Sequence, residues 1–150
     1  MCLAEDIDAK IWYQDTDSMH IDYYGVKRLS DAFKLKYNKE LIGKQMGQFH
    51  VDFELEESKG NIYAKESIFL GKKSYLDILA CDGNDVQGIH IRMKGIPGKL
   101  LERNTYETYL KLYNGERMSF DLSELCSIII DTKSLNVSKR LNFTRNISFS

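Results

Sequence analysis

The chain has 150 residues, the size of one ordinary domain, with 43% hydrophobic and 29% charged residues. That balance excludes a disordered tail or a fibre, and one proline with ten glycines excludes a low-complexity linker. The formal net charge is −1, yet residues 1–60 hold 8 bases against 12 acids and residues 61–150 hold 13 bases against 10 acids. An acidic front and a basic back suit metal chemistry beside a polyanion, and they equally suit chance scatter. After Asp131 come Lys133, Lys139, Arg140 and Arg145 with no acid.

The longest β-branched run, Ile128-Ile129-Ile130, is far shorter than the roughly 20 residues of a membrane-crossing helix, so no membrane partner is expected. The opening MCLAEDIDAK lacks the apolar stretch of a secretory signal, which makes an intracellular location the expectation. Cys2, Cys81 and Cys126 are odd in number and widely spaced, as free thiols in a reducing compartment would be. His20, His50 and His90 lack zinc-site spacing, and the sequons at Asn136, Asn142 and Asn146 read as incidental.

Residues 10–13 and 18–24 are strand-like runs flanking Gln14-Asp15-Thr16-Asp17, which predicts a β-hairpin with acids at its tip. Leu29, Ala32, Phe33 and Tyr37 recur at helical spacing, with Ser30 or Asp31 as the expected cap. Phe49, Val51, Phe53 and Leu55 alternate with His50, Asp52 and Glu54, which predicts a strand with one buried face. Further β structure is expected from Asn61 to about Leu79 and from Val86 to Met93, around a Cys81–Asp85 turn. Pro97 and Gly98 should open a helix from about Lys99 to Tyr113, with Tyr106, Tyr109, Leu110 and Tyr113 on one face and an end at Asn114-Gly115. Met118–Leu122 and the stretch after Lys133 read as strands. The fold class is therefore α+β.

Two carboxylates one residue apart, on a turn between apolar and aromatic strands, repel each other, and a divalent cation relieves that repulsion. Magnesium takes few protein carboxylates, completing its shell with waters and substrate phosphates, so a small acidic tip suits a Mg²⁺–nucleotide site. By itself Asp-x-Asp is common on solvated turns. Its rigid support is what sharpens the reading.

IWYQDTDSMHI resembles the Y-x-D-T-D-S motif of family B DNA polymerases, the hairpin at the centre of the palm. Downstream, Phe69-Leu70-Gly71-Lys72-Lys73-Ser74-Tyr75 resembles that family's K-K-x-Y motif. Met46–Phe49 and Met93–Ile96 resemble connecting segments of its organellar and viral branch, which includes protein-primed enzymes. The likeness covers most of residues 10–122. It implies an antiparallel palm hairpin and sheet with flanking helices in residues 1–66, then a K-K-x-Y segment and a thumb-like α/β region in residues 67–150.

By this resemblance Asp17 is the main metal ligand and Asp15 supports it. Two Mg²⁺ ions (or Mn²⁺) ~3.5–4 Å apart would bridge the incoming deoxynucleoside triphosphate and the primer 3′-hydroxyl. Tyr13, Thr16 and Ser18 would shape the hairpin. Lys72, Lys73, Tyr75 and Lys94 would hold primer–template DNA, with Lys73 and Tyr75 expected on one strand face. Lys99, Arg103 and Lys111 would extend that path along a thumb.

The family's D-x-x-S-L-Y-P and K-x-x-x-N-S-x-Y-G motifs do not occur. The expectation is a C-terminal palm and thumb portion, viral, plasmid or organellar in context, which needs the remainder of a polymerase or a companion subunit and does not extend primers alone. The rival readings are an inert DNA-binding or assembly fragment and an Asp-x-Asp glycosyltransferase, which would need a nucleotide-binding fold ahead of the acids.

Overall fold

The computed structural model describes residues 2–101, 105–123, 127–140 and 144–149, with the backbone alone at 127–129, 139 and 140. Arg103, Cys126 and Asn142 lie outside the described residues. In chain order the elements are α1 (Cys2–Asp6), β1 (Ile11–Asp15), β2 (Ser18–Ile21), α2 (Tyr23–Tyr37), β3 (Ile62–Gly71), β4 (Ser74–Cys81) and β5 (Gln87–Met93). A 3-10 turn at Gly98–Leu100 precedes α3 (Thr105–Tyr113), β6 (Met118–Asp121), β7 (Ser127–Ile130), β8 (Val137–Arg140) and β9 (Thr144–Ile147).

This is an α+β fold. Its strands form a β3-β4-β5 sheet and three pairs, β1-β2, β6-β9 and β7-β8, each pair antiparallel. The connections within the three-stranded sheet are too short for parallel crossovers. No helix among the described residues is long and apolar enough to cross a membrane.

Contacts divide the chain into two units: Met1–Ala64 with Leu79–Gly88, and Lys65–Ile78 with Ile89–Ser150. The division sharpens the charge asymmetry. The first unit carries 8 bases and 14 acids, a net of −6, and the second 13 bases and 8 acids, a net of +5.

In the first unit Ala4, Leu29 and Leu41 are buried, with Ile7, Ile11, Met19, Ile21 and Phe33 packed around them. Helix α2 is capped eight residues before the expected Ser30 and nine before Asp31. Asp22 caps it instead, its Oδ1 accepting the Gly25 N–H at 2.6 Å, so Ser30 and Asp31 are interior helix positions. Tyr23 and Tyr24, expected in a strand, form its first turn, because an Asp directly after β2 supplies the acceptor that a helix start needs. Gly25 is required by the tight strand-to-helix step, since a Cβ there would lie 2.7 Å from Ile21 Cγ1. The strand expected at Phe49–Leu55 is absent: Phe49 makes one isolated bridge to Ile42, and residues 50–55 form no ladder. Alternation marks a face but does not supply a hydrogen-bonding neighbour, and Val51 remains exposed.

In the second unit β3 and β4 split the single β stretch expected from Asn61 to Leu79. Ile68, Leu76, Met93, Ile96, Leu101, Tyr109, Leu112, Phe120 and Leu122 form its core. The buried face of α3 is Thr105, Thr108, Tyr109 and Leu112, whereas Tyr106 and Leu110 are partly exposed and Tyr113 mostly so. The expected stripe was turned by part of a helical circuit because two threonines are core residues here. Gly115, at φ +85°, closes α3: its N–H reaches the Leu112 carbonyl and the Glu116 N–H reaches that of Lys111, the paired bonds of a left-handed helix end.

Tyr109 is fully buried, and its hydroxyl donates to the Arg92 carbonyl at 2.6 Å. Burial first, then Tyr75 and Asp77, pushes its ionisation well above the ordinary phenol range. With the folded value above the unfolded value of about 10, the neutral phenol's contribution is complete below about pH 10 and is lost as pH rises further. Tyr109→Phe should therefore reduce the alkaline fall in stability while costing about 1–2 kcal/mol at neutral pH. Urea unfolding at pH 8 and pH 11 checks this, and equal alkaline falls in both proteins would contradict it.

Candidate functional site

The hairpin begins with a bulge. Ile11 pairs with Ile21, but Tyr13 pairs with His20, so Trp12 is an extra residue in β1. One inserted residue reverses which face the following side chains occupy. Ile11 and Ile21 join the first unit's core, as does Met19 opposite Gln14. Tyr13, Asp15, Ser18 and His20 share the other face. The Tyr13 and His20 rings meet edge to face at 5.4 Å between centroids, and His20 meets Phe53 at 6.2 Å. A two-stranded ribbon alone is marginal, and here packing supports both sides of it.

Asp15 pairs with Ser18, so the turn is the two residues Thr16-Asp17 rather than all of Gln14–Asp17. Asp15 ends the strand, half-buried. Its Oδ1 accepts the Thr16 N–H at 2.9 Å and the Thr16 hydroxyl at 3.2 Å. Asp17 lies in the turn, exposed, as does the neighbouring Ser18. The hairpin therefore presents one carboxylate fixed by its own turn and one projecting beyond it.

Among the described residues no group of three or more His, Cys, Asp or Glu side chains stands ready to hold a metal ion. Two carboxylates do not make a zinc site or an all-protein calcium cage. A Mg²⁺ ion here would need waters and further oxygens from a substrate or another segment to complete its shell.

In the second unit Lys72 and Lys73 form the two-residue turn between β3 and β4, not part of a strand. The expected shared face of Lys73 and Tyr75 is therefore corrected. Tyr75 is buried, at 8% exposure, with Phe69 on one side (6.3 Å between centroids) and His90 on the other (5.7 Å). The chain turns after Gly71, and Ser74–Cys81 then forms the central strand, buried along nearly all of its length. Ser74 Oγ accepts the Lys94 N–H at 3.3 Å, which brings Lys94 to the end of the sheet that carries Lys72 and Lys73. Arg145, from β9, donates to the Gly95 carbonyl at 3.4 Å and adds a fourth cation there. Lys99 lies in the 3-10 turn and Lys111 in the last turn of α3.

Lys73 adopts φ +57°, a left-handed conformation that costs a side-chain-bearing residue roughly 1 kcal/mol or more. Lys73→Gly should therefore leave stability unchanged or raise it by up to about 1 kcal/mol. If the ammonium grips a phosphate, the same change lowers the salt slope of duplex binding by about 0.9. Thermal unfolding and salt-dependent fluorescence anisotropy separate the two effects, and loss of stability with unaltered binding would assign Lys73 to the fold alone.

A buried polar chain escaped the sequence reading. Asp77, fully buried in β4, accepts the Ser67 hydroxyl on Oδ1 at 2.6 Å and meets His90 Nδ1 through Oδ2 at 3.1 Å. The signal was there in outline: a carboxylate amid the apolar Tyr75–Ala80 requires a partner. Compared with protein-family models, with curated proteins and with solved structures, the chain matches none of them.

Proposed function

We propose that the chain contributes part of the palm and thumb of a family B DNA-directed DNA polymerase, supplying a metal-binding hairpin and a primer–template grip. The observation that carries this is the hairpin: a tight two-residue turn, braced on both faces, bearing Asp15 and Asp17. Mg²⁺ or Mn²⁺, when bound, would activate a primer 3′-hydroxyl and neutralise charge on a deoxynucleoside triphosphate. Asp17 holds the ion, Asp15 and Thr16 keep the turn in shape, and Tyr13 with Ser18 flanks them. Lys72, Lys73, Lys94 and Arg145 attract the DNA backbone without reading its sequence. Tyr75, enclosed by Phe69 and His90, supports the turn from below rather than presenting a free surface.

Titration calorimetry with Mn²⁺ and a deoxynucleoside triphosphate tests this reading. The expected result is ternary binding heat that Asp17→Ala removes; heat unaffected by Asp15→Ala and Asp17→Ala together would refute it. A second reading, DNA binding without chemistry, is favoured by the cationic end of the second unit, which requires no metal. It predicts duplex binding that survives loss of both aspartates, with no metal-dependent nucleotide binding.

A further inference from the structure

Helix α2 turns one face to the first unit's core, where Leu29 is buried and Phe33 packs beside it. On the opposite face Tyr24, Arg28, Asp31 and Leu35 follow one another at steps of four, three and four residues. All four are exposed, Tyr24 at 76% and Leu35 at 90%. The Tyr23 ring meets that of Tyr24 edge to face at 5.8 Å between centroids, which steadies it. One nitrogen of the Arg28 guanidinium bonds the Ile7 carbonyl, and the group has further donors. Asp31 makes neither a hydrogen bond nor an ion pair among the described residues.

We infer that this face of α2 docks on the same face of a second copy of the chain, antiparallel and across a two-fold axis. Steps alternating between four and three residues are those of the a and d positions of a coiled-coil seam. An antiparallel pair centred between Leu29 and Ser30 sets Tyr24 opposite Leu35 of the second copy and Arg28 opposite its Asp31. Symmetry then repeats both contacts, so the face complements itself in charge and in apolar surface. Parallel pairing would instead set Arg28 against Arg28 and Asp31 against Asp31. Lys27 and Lys34 flank the seam, and Lys34 is already paired with Glu40 at 2.5 Å, which limits repulsion between copies. The chain's net charge of −1 adds little long-range repulsion. A polyanion or an anionic membrane would meet Asp31 in the middle of the face and a unit of net −6 around it. Two short helices bury a small interface, so the dimer should be weak and reversible. The inference goes beyond the polymerase reading and needs neither metal nor DNA.

Sedimentation equilibrium of the full chain over a concentration series, in EDTA and without DNA, tests this. The unaltered chain should dimerise reversibly. Arg28→Glu sets acid against acid in both central contacts, and Asp31→Arg sets cation against cation. Each should weaken the dimer about tenfold or more. An equimolar mixture of these two variants regains two opposite-charge contacts and should form heterodimers of nearly the original strength. Leu35→Ser, which alters no charge, should also weaken the dimer. Far-ultraviolet circular dichroism confirms that each variant is folded. A chain that stays monomeric at every concentration overturns the inference. So does a dimer that Leu35→Ser and both charge reversals leave intact, or a mixture no more associated than its components. None of these outcomes bears on metal binding by the hairpin, which is measured separately.

Discussion

Asp77→Ala is expected to destabilise the second unit by about 2–5 kcal/mol, because it leaves two hydrogen-bonding partners, Ser67 and His90, without their shared acceptor. Asp77 has no solvent-exposed surface, and both of its oxygens are engaged, by Ser67 from β3 and His90 from β5. It thus links all three strands of the sheet on one face. Its removal leaves the half-buried Ser67 hydroxyl and His90 ring without the carboxylate that engages both. Asp77→Asn keeps the size and part of the hydrogen bonding, so a smaller loss is expected. Guanidinium unfolding checks this. Asp77→Ala combined with His90→Ala should cost less than the two single losses summed, since both remove the same interaction. A loss under about 1 kcal/mol for Asp77→Ala would show that the pair contributes little.

Asp17→Ala should abolish divalent-ion binding by the hairpin and leave its stability almost unchanged. Asp17 is exposed in the turn and packs into neither core cluster. Loss of a group that merely supports a metal ligand costs 10–100-fold in affinity, and loss of one of only two carboxylates should cost at least as much. Asp15→Ala should behave differently. The Asp15 carboxylate accepts both the Thr16 N–H and the Thr16 hydroxyl, so its loss weakens metal binding and also destabilises the turn by about 1 kcal/mol. Calorimetry with Mn²⁺ alongside thermal unfolding measures both quantities. Equal destabilisation by the two substitutions would contradict this division of roles.

The hairpin was legible because its signals are local: aromatic and β-branched runs on either side of a short polar turn. Its bulge was not, since Trp12 is extra only relative to the partner strand. Helix α2 was visible by its apolar spacing, but its start was misplaced because Tyr23 and Tyr24 have high strand propensity, which the Asp22 cap overrides. The Phe49–Leu55 alternation misled because pairing depends on a distant neighbour. For the candidate site, Lys72, Lys73 and Lys94 could be named from motif likeness, but their convergence arises from the β3-β4 turn and the Ser74–Lys94 hydrogen bond. Arg145 reaches the same end from β9, a connection that no local pattern encodes. The Asp77–His90 pair was hidden for the same reason, its partners lying 13 residues apart on different strands.

The most direct measurement is paramagnetic broadening of backbone amide resonances during titration with substoichiometric Mn²⁺. Binding by the hairpin predicts early, selective loss of the Asp15–Ser18 signals, relieved by excess Mg²⁺ and absent in Asp17→Ala. Broadening that begins elsewhere, or that persists unchanged at those four residues in Asp17→Ala, would contradict the hairpin as a metal site.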